Sequence, residues 1–496
     1  MLFIVKFFPE IVIKGKQVRK QMTRRLRDNL LAQLHPICRQ IRVLDEWDKL
    51  VINLPEEVQG ESLAEVVSVL GRTSGVASFL EVEAASFESL EDICRIAGSD
   101  FAPSVSGKRF VVRCKRSGKH PFNSIDVERH VGGFLLQHSQ GAVVDLHTPE
   151  VTVPLEIKGQ TLYLVKRRRE GLGGFPLGEV EPVLSLISGG FDSPVASFLS
   201  MRRGMPTHFC FFNLGGREHE LGVKEVSYHL WQRYGAARRV KFISVPFEPV
   251  VAGILQSVAS SQMGVILKRM MLRVASRLAE RLEVQALVTG EAVAQVSSQT
   301  LTNLSVIDSV TPMLVLRPLI MTDKEEIIRI ARKIGTAQFA ENMPEYCGVI
   351  SVKPTTRARE YRIEKEEARF DFGLIEEALA KAQILNIDEI ANMQEAAVDV
   401  EVLEVPVPDA VIIDIRHPEE EERKPLQVVG QSIEKIPFYT LRSKMAQWPR
   451  ERRYLLYCEK GVMSRLHAAH LVEEGYRVAV FRPPVAGIRS PSASQP

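Results

Sequence analysis

The sequence predicts a multidomain α/β protein, and three observations lead to that prediction. The chain has 496 residues, which at about 150 residues per domain suggests three or four domains. Strand-like apolar runs alternate with helical patterns through the middle third, and a smaller strand–helix unit follows a proline-containing segment after residue 400. A single hydrophobic core rarely serves more than about 300 residues, so we expect separately packed units.

Composition excludes several classes of protein. Hydrophobic residues make up 45% of the chain and charged residues 25%, which is typical of soluble globular proteins and not of disordered, collagen-like or disulfide-scaffold proteins. The 64 Lys and Arg residues nearly balance the 61 Asp and Glu residues. The net charge therefore does not indicate a binding partner, and only the distribution of charge along the chain can indicate one.

The apolar residues 1–8 are expected to form a strand. Two later segments in the first third of the chain are basic. Residues 14–27 hold seven Lys or Arg residues and no acidic residue, and apolar residues recur at helical spacing from Val18 onward, so we expect a helix with a basic face. Residues 108–120 alternate apolar and charged positions, which predicts a strand with one charged face.

The middle third predicts a doubly wound parallel sheet, because strands alternate there with helices. The strand-like runs are Val183–Ile187, 208–214, 240–245 and 285–289, and helical patterns cover 194–203 and 263–283. After an acidic, proline-containing linker at 401–408, strands are expected at 410–415 and 454–457 and a helix at about 464–474. Residues 485–496 are rich in Pro and Ser and predict a disordered tail.

Cysteine usage and hydropathy favour a cytoplasmic protein. The six cysteines are widely spaced, and none forms a C-x-x-C pair. The apolar N-terminus is interrupted by Lys6 and is too short for a signal peptide. Residues 250–267 carry no charge but contain five Ser or Gln residues, so we do not expect a membrane span.

The strongest motif is SGGFDS at residues 188–193, between an apolar strand and the start of a helix. Its two glycines allow close approach of the backbone to an anion, and the helix N-terminus offers free N–H groups. Neither a Walker loop nor a dinucleotide fingerprint occurs in the chain. The segment resembles the PP-loop of N-type ATP pyrophosphatases, and a plain helix-capping turn is the alternative.

The second motif is CEKGVMSR at residues 458–465, which also joins a strand to a helix. A thiol surrounded by backbone N–H groups near a helix N-terminus should have a lowered pKa and raised reactivity. The loop, together with the Asp414–Arg416 strand, resembles a rhodanese active site, whereas a lone Cys at a strand end is more often inert. Cys347 lies in the loop-like segment PEYCG, where a reactive and a structural role stay equally open. The other cysteines are expected to be structural.

Together these loops make the chain resemble the tRNA 4-thiouridine synthetases (tRNA sulfurtransferases). The resemblance covers about residues 1–482. It rests on FFPEI, GKH, SIDVER, GGFP, SGGFDS, MPEYCG and the Cys458 loop, at residues 7–11, 118–120, 124–129, 173–176, 188–193, 343–348 and 458–465.

The family implies a domain layout and a reaction. The domains would be ferredoxin-like (1–60), THUMP RNA-binding (61–166), PP-loop ATP pyrophosphatase (178–398) and rhodanese-like (404–484). With ATP and Mg²⁺, the third domain would adenylate O4 of uridine 8 in a tRNA held by its acceptor end. A cysteine desulfurase would load Cys458 with persulfide sulfur, and Cys347 would form a disulfide with Cys458 as that sulfur leaves.

The family also implies site residues. Catalytic roles fall on Cys458, Cys347, Asp192 and Lys324. Nucleotide-binding positions are Leu186, Ile187, Ser188, Gly189, Gly190, Asp192, Ser193, Lys268, Gly290 and Gln299. Asp192 would help to position Mg²⁺ or phosphate, and no separate set of protein metal ligands is expected. Without the resemblance, both lysines are explained as solvated helix-face residues and Gly290 as a turn glycine.

The basic segments acquire a role under this hypothesis, since clustered Lys and Arg can neutralise the phosphates of a structured RNA. An ordinary solvated face is the alternative. Two other functions stay open: sulfur carriage for the thiazole of thiamine, and an RNA-binding module without activity. The family suggests a homodimer.

Overall fold

The computed structural model describes residues 2–46, 49–214, 216–341 and 354–391, and most of 400–483. Within that last stretch it leaves out positions 408, 417–420, 423, 429, 438–440, 442–443, 459–463, 465–466, 469–470 and 473. The chain forms two compact units, residues 1–179 and 180–496, which are described in turn. Cys347 and the predicted tail lie outside the described residues.

The first unit is built on one eight-stranded sheet in the order β2-β3-β1-β4-β8-β7-β5-β6. Its strands are β1 Leu2–Phe7, β2 Arg42–Glu46, β3 Lys49–Asn53, β4 Val76–Ser86, β5 Arg109–Ser117, β6 Val143–Val144, β7 Val151–Lys158 and β8 Thr161–Glu170. Its helices are α1 Pro9–Val12, α2 Lys16–Leu34, α3 Gly60–Arg72, α4 Leu90–Val105 and α5 Ser124–His138. Both predicted basic elements are present, as α2 and β5.

Helix α2 buries one side and exposes its basic residues on the other. Met22, Leu26 and Leu30 are buried, while Lys16 and Arg24 are exposed. Val18 was expected on the buried stripe but is 43% exposed, because it lies in the first turn, ahead of the stripe that begins at Met22.

Two hydrophobic cores lie along this sheet, and β4 connects them. The first core runs from Phe3 to Phe79 and includes Val66, Val69 and Leu70 of α3, whereas the second begins at Phe87. A domain boundary between residues 60 and 61 would separate α3 from the core into which it packs. The family layout had implied that boundary, and we propose instead to place it near residue 80.

The segment after β8 returns to the first core. Gly173 accepts the backbone N–H of Gly75 at 2.8 Å, and the Asn29 side chain donates to the Leu177 carbonyl at 2.9 Å. Phe175 and Leu177 are buried. The packed unit therefore extends beyond residue 166, where the second domain was expected to end.

The second unit contains a six-stranded sheet in the order β13-β12-β9-β10-β11-β14. Its strands are β9 Val183–Ile187, β10 Thr207–Asn213, β11 Lys241–Pro246, β12 Ala286–Val288, β13 Leu314–Leu316 and β14 Gln383–Asn386. The expected parallel sheet is confirmed for five strands, and the edge strand β14 is antiparallel to β11.

Nine α-helices of the second unit have bounds in the described residues. They are α6 Asp192–Arg202, α7 Gly216–Leu230, α8 Glu248–Ser257, α9 Met263–Arg281, α10 Leu301–Asp308, α11 Lys324–Ile334, α12 Ala337–Glu341, α13 Glu360–Glu367 and α14 Gly373–Ala380. The largest core of this unit joins the sheet to α8, α9 and α14, and α9 contributes Ile266, Met270 and Leu278, all fully buried.

A five-stranded parallel sheet follows, in the order β15-β19-β18-β16-β17. Its strands are β15 Val402–Leu403, β16 Val411–Asp414, β17 Ile433–Lys435, β18 Arg453–Tyr457 and β19 Arg477–Phe481. Residues 401–408 are therefore not simply a linker, since β15 pairs with β19. Ser464 and the described positions near 467 and 471 are helical, and the rest of the helix expected at 464–474 lies outside the described residues. Among the described residues, no helix is long and apolar enough to cross a membrane.

A fragment of residues 1–179 should be more stable than one of residues 1–166, because the shorter fragment lacks Phe175 and Leu177. Burial of two such side chains contributes about 3–6 kcal/mol. Urea unfolding of the two fragments measures the difference, and Phe175→Ala in the longer fragment should reproduce about half of it. Equal stability of both fragments would contradict the packing described for the returning segment.

Candidate functional site

Most of the nucleotide-site candidates lie near the carboxyl edge of the middle sheet, where the strand order reverses. From β9 the chain proceeds outward through β10 to β11, whereas β12 lies on the other side of β9 and is flanked by β13. The loops that leave β9 and β12 therefore begin side by side. In open parallel sheets, small-molecule ligands bind at such a reversal.

Residues 188–193 form a tight connection from β9 to α6 that Ser193 closes. Its hydroxyl accepts the backbone N–H of Ser188 at 2.8 Å and lies 2.9 Å from the Ser188 hydroxyl. Gly189 is buried in this bend, and a Cβ added at Gly190 would meet no atom within 4 Å. Open space over a glycine turn beside a helix N-terminus suits an anion. The Ser193 hydroxyl itself holds the loop together.

Gly290, which follows β12, touches the first turn of α6. A Cβ at this position would lie 2.6 Å from the Ser193 nitrogen and 2.7 Å from the Asp192 carbonyl carbon. Both are backbone atoms and cannot move aside as a flexible side chain would. Gly290 is therefore a close-approach glycine rather than a turn glycine, and it brings the two loops into contact.

Asp192 and Lys324, both singled out from the sequence, form an ion pair. Lys324 Nζ donates to Asp192 Oδ1 at 2.7 Å, and the Gln295 amide donates to Asp192 Oδ2 at 2.8 Å. Lys324 is the first residue of α11, a position at which the helix dipole disfavours a cation. The ion pair with Asp192 offsets that cost, and it places a positive charge at the rim of the glycine loop.

Lys268 belongs to a chain of four charged groups. Its Nζ lies 2.6 Å from Glu291 Oε1, Glu291 Oε2 accepts from Arg317 at 2.8 Å, and Arg317 donates twice to Asp308 at 2.6 and 2.8 Å. Glu291 is buried. Burial alone would raise the pKa of Glu291, but Lys268 and Arg317 outweigh it and hold the pKa below its usual value.

The remaining nucleotide candidates lie on β9 and on the segment between β12 and α10. Leu186 and Ile187 end β9, the former half-buried and the latter buried. Gln299 ends a short 3₁₀ turn and is buried, with 8% of its surface exposed. Within the described part of the chain its side-chain oxygen has no hydrogen-bond partner. A buried, unsatisfied acceptor has the chemistry to bind a donor group of a ligand.

Cys458 follows β18 and is buried, at 9% exposure. The Ser464 backbone N–H donates to its Sγ at 3.3 Å, and the Ser464 hydroxyl lies at the same distance. Asp414 ends the neighbouring strand β16 and forms a fully buried ion pair with Arg416 at 2.6 Å. Arg416 stacks on the Tyr457 ring at 4.9 Å. Since β16 pairs with β18, this ion pair supports the strand end that carries the thiol.

Cys458 also belongs to an apolar cluster that includes residues of the middle domain. Val226 of α7 and Phe339 of α12 pack in the same core as the C-terminal sheet. Glu225 lies 2.7 Å from the His467 ring nitrogen. Burial, and next the nearby Cys458, raise the pKa of Tyr228. In the described arrangement, Cys458 thus lies against α7.

Three other cysteines have thiols that burial makes unreactive. Burial, with a contribution from Glu91, raises the pKa of Cys94, and burial with Glu128 raises that of Cys114 to about 11. Cys210 is fully buried, and its pKa is raised further. Low thiolate content and poor access both argue for structural roles.

Several residues of the site were not found from the sequence. Glu291, Arg317 and Asp308 carried no motif, although Glu291 directly follows Gly290. Gln295 gave no signal at all, because its contact with Asp192 spans 103 positions. Ser464 could have been found, since it is the last but one residue of the Cys458 loop.

Comparison with known proteins decides the family. Three family models match successive parts of the chain. The ThiI ferredoxin-like domain matches residues 2–79, the THUMP domain matches 84–165, and the thiamine biosynthesis protein (ThiI) matches 178–372. A tRNA sulfurtransferase from Azotobacter vinelandii is 52% identical over 484 residues, covering 97% of this chain and all of its own. One from Shewanella loihica is 51% identical over 485 residues with the same coverage. The chain belongs to the tRNA sulfurtransferase family.

Solved structures agree with this family assignment. The crystal structure of a 4-thiouridine synthetase in complex with RNA and bound ATP matches with a TM-score of 0.68 and 25% identity, over 78% of this chain and 99% of that one. A Pyrococcus horikoshii protein shares the fold, with a TM-score of 0.52 and 19% identity, over 67% of this chain and 99% of its own. The resemblance inferred from the motifs is confirmed, and so are the ferredoxin-like, THUMP and PP-loop components of the fold class.

Glu291→Gln should destabilise the protein by about 2–4 kcal/mol, because Lys268 and Arg317 lose the charge between them. The lowered pKa of Glu291 means that its contribution is fully present above pH 4.5, its ordinary value, and is lost as the pH falls below that value through the native pKa. Urea unfolding at neutral pH and near pH 4 should therefore show a smaller acid-induced loss in the variant. Glu283→Gln, at an exposed turn, is the matched control. An unchanged pH slope in Glu291→Gln would contradict this role.

Proposed function

We propose that the protein catalyses ATP-dependent transfer of sulfur to uridine 8 of tRNA, forming 4-thiouridine. The observation that carries the proposal is the Asp192–Lys324 pair at the rim of the glycine loop, on the edge where the strand order reverses. Relatives named tRNA sulfurtransferases and an ATP-bound 4-thiouridine synthetase support it. The cytoplasm is the proposed location.

In the first step, uridine O4 attacks the α-phosphorus of ATP and pyrophosphate leaves. The loop N–H groups would bind the departing phosphates, and Lys324 would offset the charge that develops on them. Gln299 would contact the nucleotide. The product is an O4-adenylated uridine, in which AMP is a far better leaving group than the original oxygen.

Mg²⁺ fits this site as a companion of the phosphates. No cluster of three metal-ligating side chains occurs among the described residues, and Mg²⁺ commonly binds phosphate oxygens with only one or two carboxylates. When bound, it would neutralise phosphate charge. Asp192 is the carboxylate that would hold it.

In the second step, sulfur comes from a persulfide on Cys458 loaded by a cysteine desulfurase. The terminal sulfur attacks C4 and displaces AMP, which leaves the uridine joined to Cys458 through two sulfurs. The Cys347 thiolate then attacks Cys458 Sγ, releasing thiouridine and forming a Cys347–Cys458 disulfide. A dithiol reductant restores both thiols. Since Cys458 is 9% exposed, it must become accessible before it accepts sulfur.

The first unit is the proposed tRNA-binding part. Helix α2 exposes a row of cations opposite its buried side, and the THUMP domain match covers residues 84–165. Such phosphate contacts position an RNA without reading its sequence, and they weaken steeply with salt. A homodimer is proposed from the family.

Asp192→Ala and Cys458→Ala should separate the two steps. With tRNA, ATP, Mg²⁺, cysteine and a desulfurase, Asp192→Ala should release no pyrophosphate. Cys458→Ala should still release pyrophosphate but form no 4-thiouridine, because its sulfur carrier is missing. Pyrophosphate assay and mass spectrometry of digested tRNA measure both.

Cys38→Ala is the control, since Cys38 lies outside both the glycine loop and the Cys458 loop and the substitution should leave both steps intact. Normal thiolation by Cys458→Ala with the desulfurase as sole donor would refute its role. Absence of pyrophosphate release by the unmodified protein with tRNA would refute the adenylation step itself.

A second candidate function is sulfur carriage for the thiazole of thiamine, which the thiamine biosynthesis (ThiI) match over residues 178–372 favours. The C-terminal sheet has an apolar core on each face, one of which it shares with Val226 and Phe339. Residues 400–484 alone should then restore thiamine-free growth of cells that lack the full protein, and Cys458→Ala in that fragment should not. Failure of the fragment, with restoration by the full chain, would tie any thiamine role to the other domains.

A further inference from the structure

We propose that Gln295 is a positioning residue that orients the Asp192 carboxylate for ATP cleavage. The inference rests on the proposed function and adds a residue to it. Gln295 lies in the loop between β12 and α10, outside the motifs that identified the site. Its amide nitrogen donates to Asp192 Oδ2 at 2.8 Å.

Two donors on two different oxygens fix the plane of the Asp192 carboxylate. Lys324 binds Oδ1 at 2.7 Å, and Gln295 binds Oδ2. With Lys324 alone, the carboxylate could still rotate about its terminal torsion, which has only broad minima. With both donors in place, each oxygen keeps a free lone pair in a defined direction, available for a phosphate-bound cation or a water.

The backbone before Gln295 is strained in a way that serves this contact. Ala294 has φ +63°, a left-handed conformation that residues with a Cβ seldom adopt. Two hydrogen bonds hold it there: Ala294 N–H donates to the Gln299 carbonyl, and Val293 N–H to the Ile320 carbonyl, both at 3.0 Å. Strain maintained by such anchors is typical of functional loops.

The same two hydrogen bonds link the segments that carry the two donors to Asp192. Ile320, which accepts from Val293, lies four residues before Lys324, so one hydrogen bond ties the Gln295 loop to the Lys324 segment. Gln299, which accepts from Ala294, is itself a nucleotide-site candidate. The two donors and the nucleotide site are therefore parts of one connected arrangement.

A neutral amide suits this position better than a second cation. Asp192 and Lys324 already neutralise each other, and another positive charge would compete with a metal ion for the carboxylate. The glutamine amide donates one hydrogen bond and adds no net charge. Glutamate would instead place a like charge against Asp192.

The test is steady-state pyrophosphate release by the full-length protein with tRNA, ATP and Mg²⁺. Gln295→Ala should lower kcat about 10- to 100-fold. It should leave KM for ATP within about twofold, because it misplaces a catalytic group without removing a nucleotide contact. The thermal midpoint should not change, since Gln295 is exposed. Gln256→Ala, at an exposed site on α8, is the matched control and should behave as the unmodified protein.

Gln295→Glu tests the hydrogen bond with a side chain of the same size. Its carboxylate cannot donate to Asp192 at neutral pH and places a like charge against it. Its kcat should therefore fall at least as far as that of Gln295→Ala, whereas a role in packing alone would tolerate this substitution.

Each contrary outcome has a distinct meaning. If Gln295→Ala retains normal kcat, or raises KM for ATP at unchanged kcat, or lowers the thermal midpoint in step with activity, the positioning role is wrong. Normal kcat for Gln295→Glu at neutral pH also overturns it. If the unmodified protein releases no pyrophosphate, the proposed function fails rather than this inference.

Discussion

The candidate nucleotide site depends on the absence of a side chain at Gly290. Only a residue without a Cβ lets the β12 loop lie against the backbone of Asp192 and Ser193, at separations of 2.6–2.7 Å from where a Cβ would stand. That contact sets the spacing between the loops that leave β9 and β12. Glu291 comes next in the chain, so the same contact decides where its carboxylate meets Lys268 and Arg317.

The charged groups around this contact are paired in the resting protein. Three acidic residues (Asp192, Glu291 and Asp308) meet three basic ones (Lys268, Arg317 and Lys324) within 2.6–2.8 Å. The cluster is thus close to neutral. The charge of a bound polyphosphate would have to be offset by loop N–H groups and by any cation that accompanies the nucleotide. Lysines held by carboxylates are oriented in advance and do not lose rotamer freedom on binding.

Sequence predicted the parts of the structure that depend on local patterns. The SGGFDS loop lies between a strand and a helix as expected, because glycine turns and apolar runs act over a few residues. Residue contacts across the fold were not predictable in this way. Gln295 meets Asp192 only because β12 returns beside β9. The boundary expected at residue 60 came from the resemblance to the family, whereas the packing of α3 follows buried apolar residues such as Val66.

The two chemical centres of the second unit impose opposite requirements on access. The loop at residues 188–193 is open above Gly190, as a site must be that admits a nucleotide and a base. Cys458 is covered, because α7 packs on the C-terminal sheet through Val226 and through the Glu225–His467 contact. A covered thiol is protected from oxidation, and it is equally closed to a protein that delivers sulfur. Under the proposed function, the thiol must be uncovered before Cys458 is loaded, and the packing of α7 on this face is one of the contacts that determine how often it becomes available.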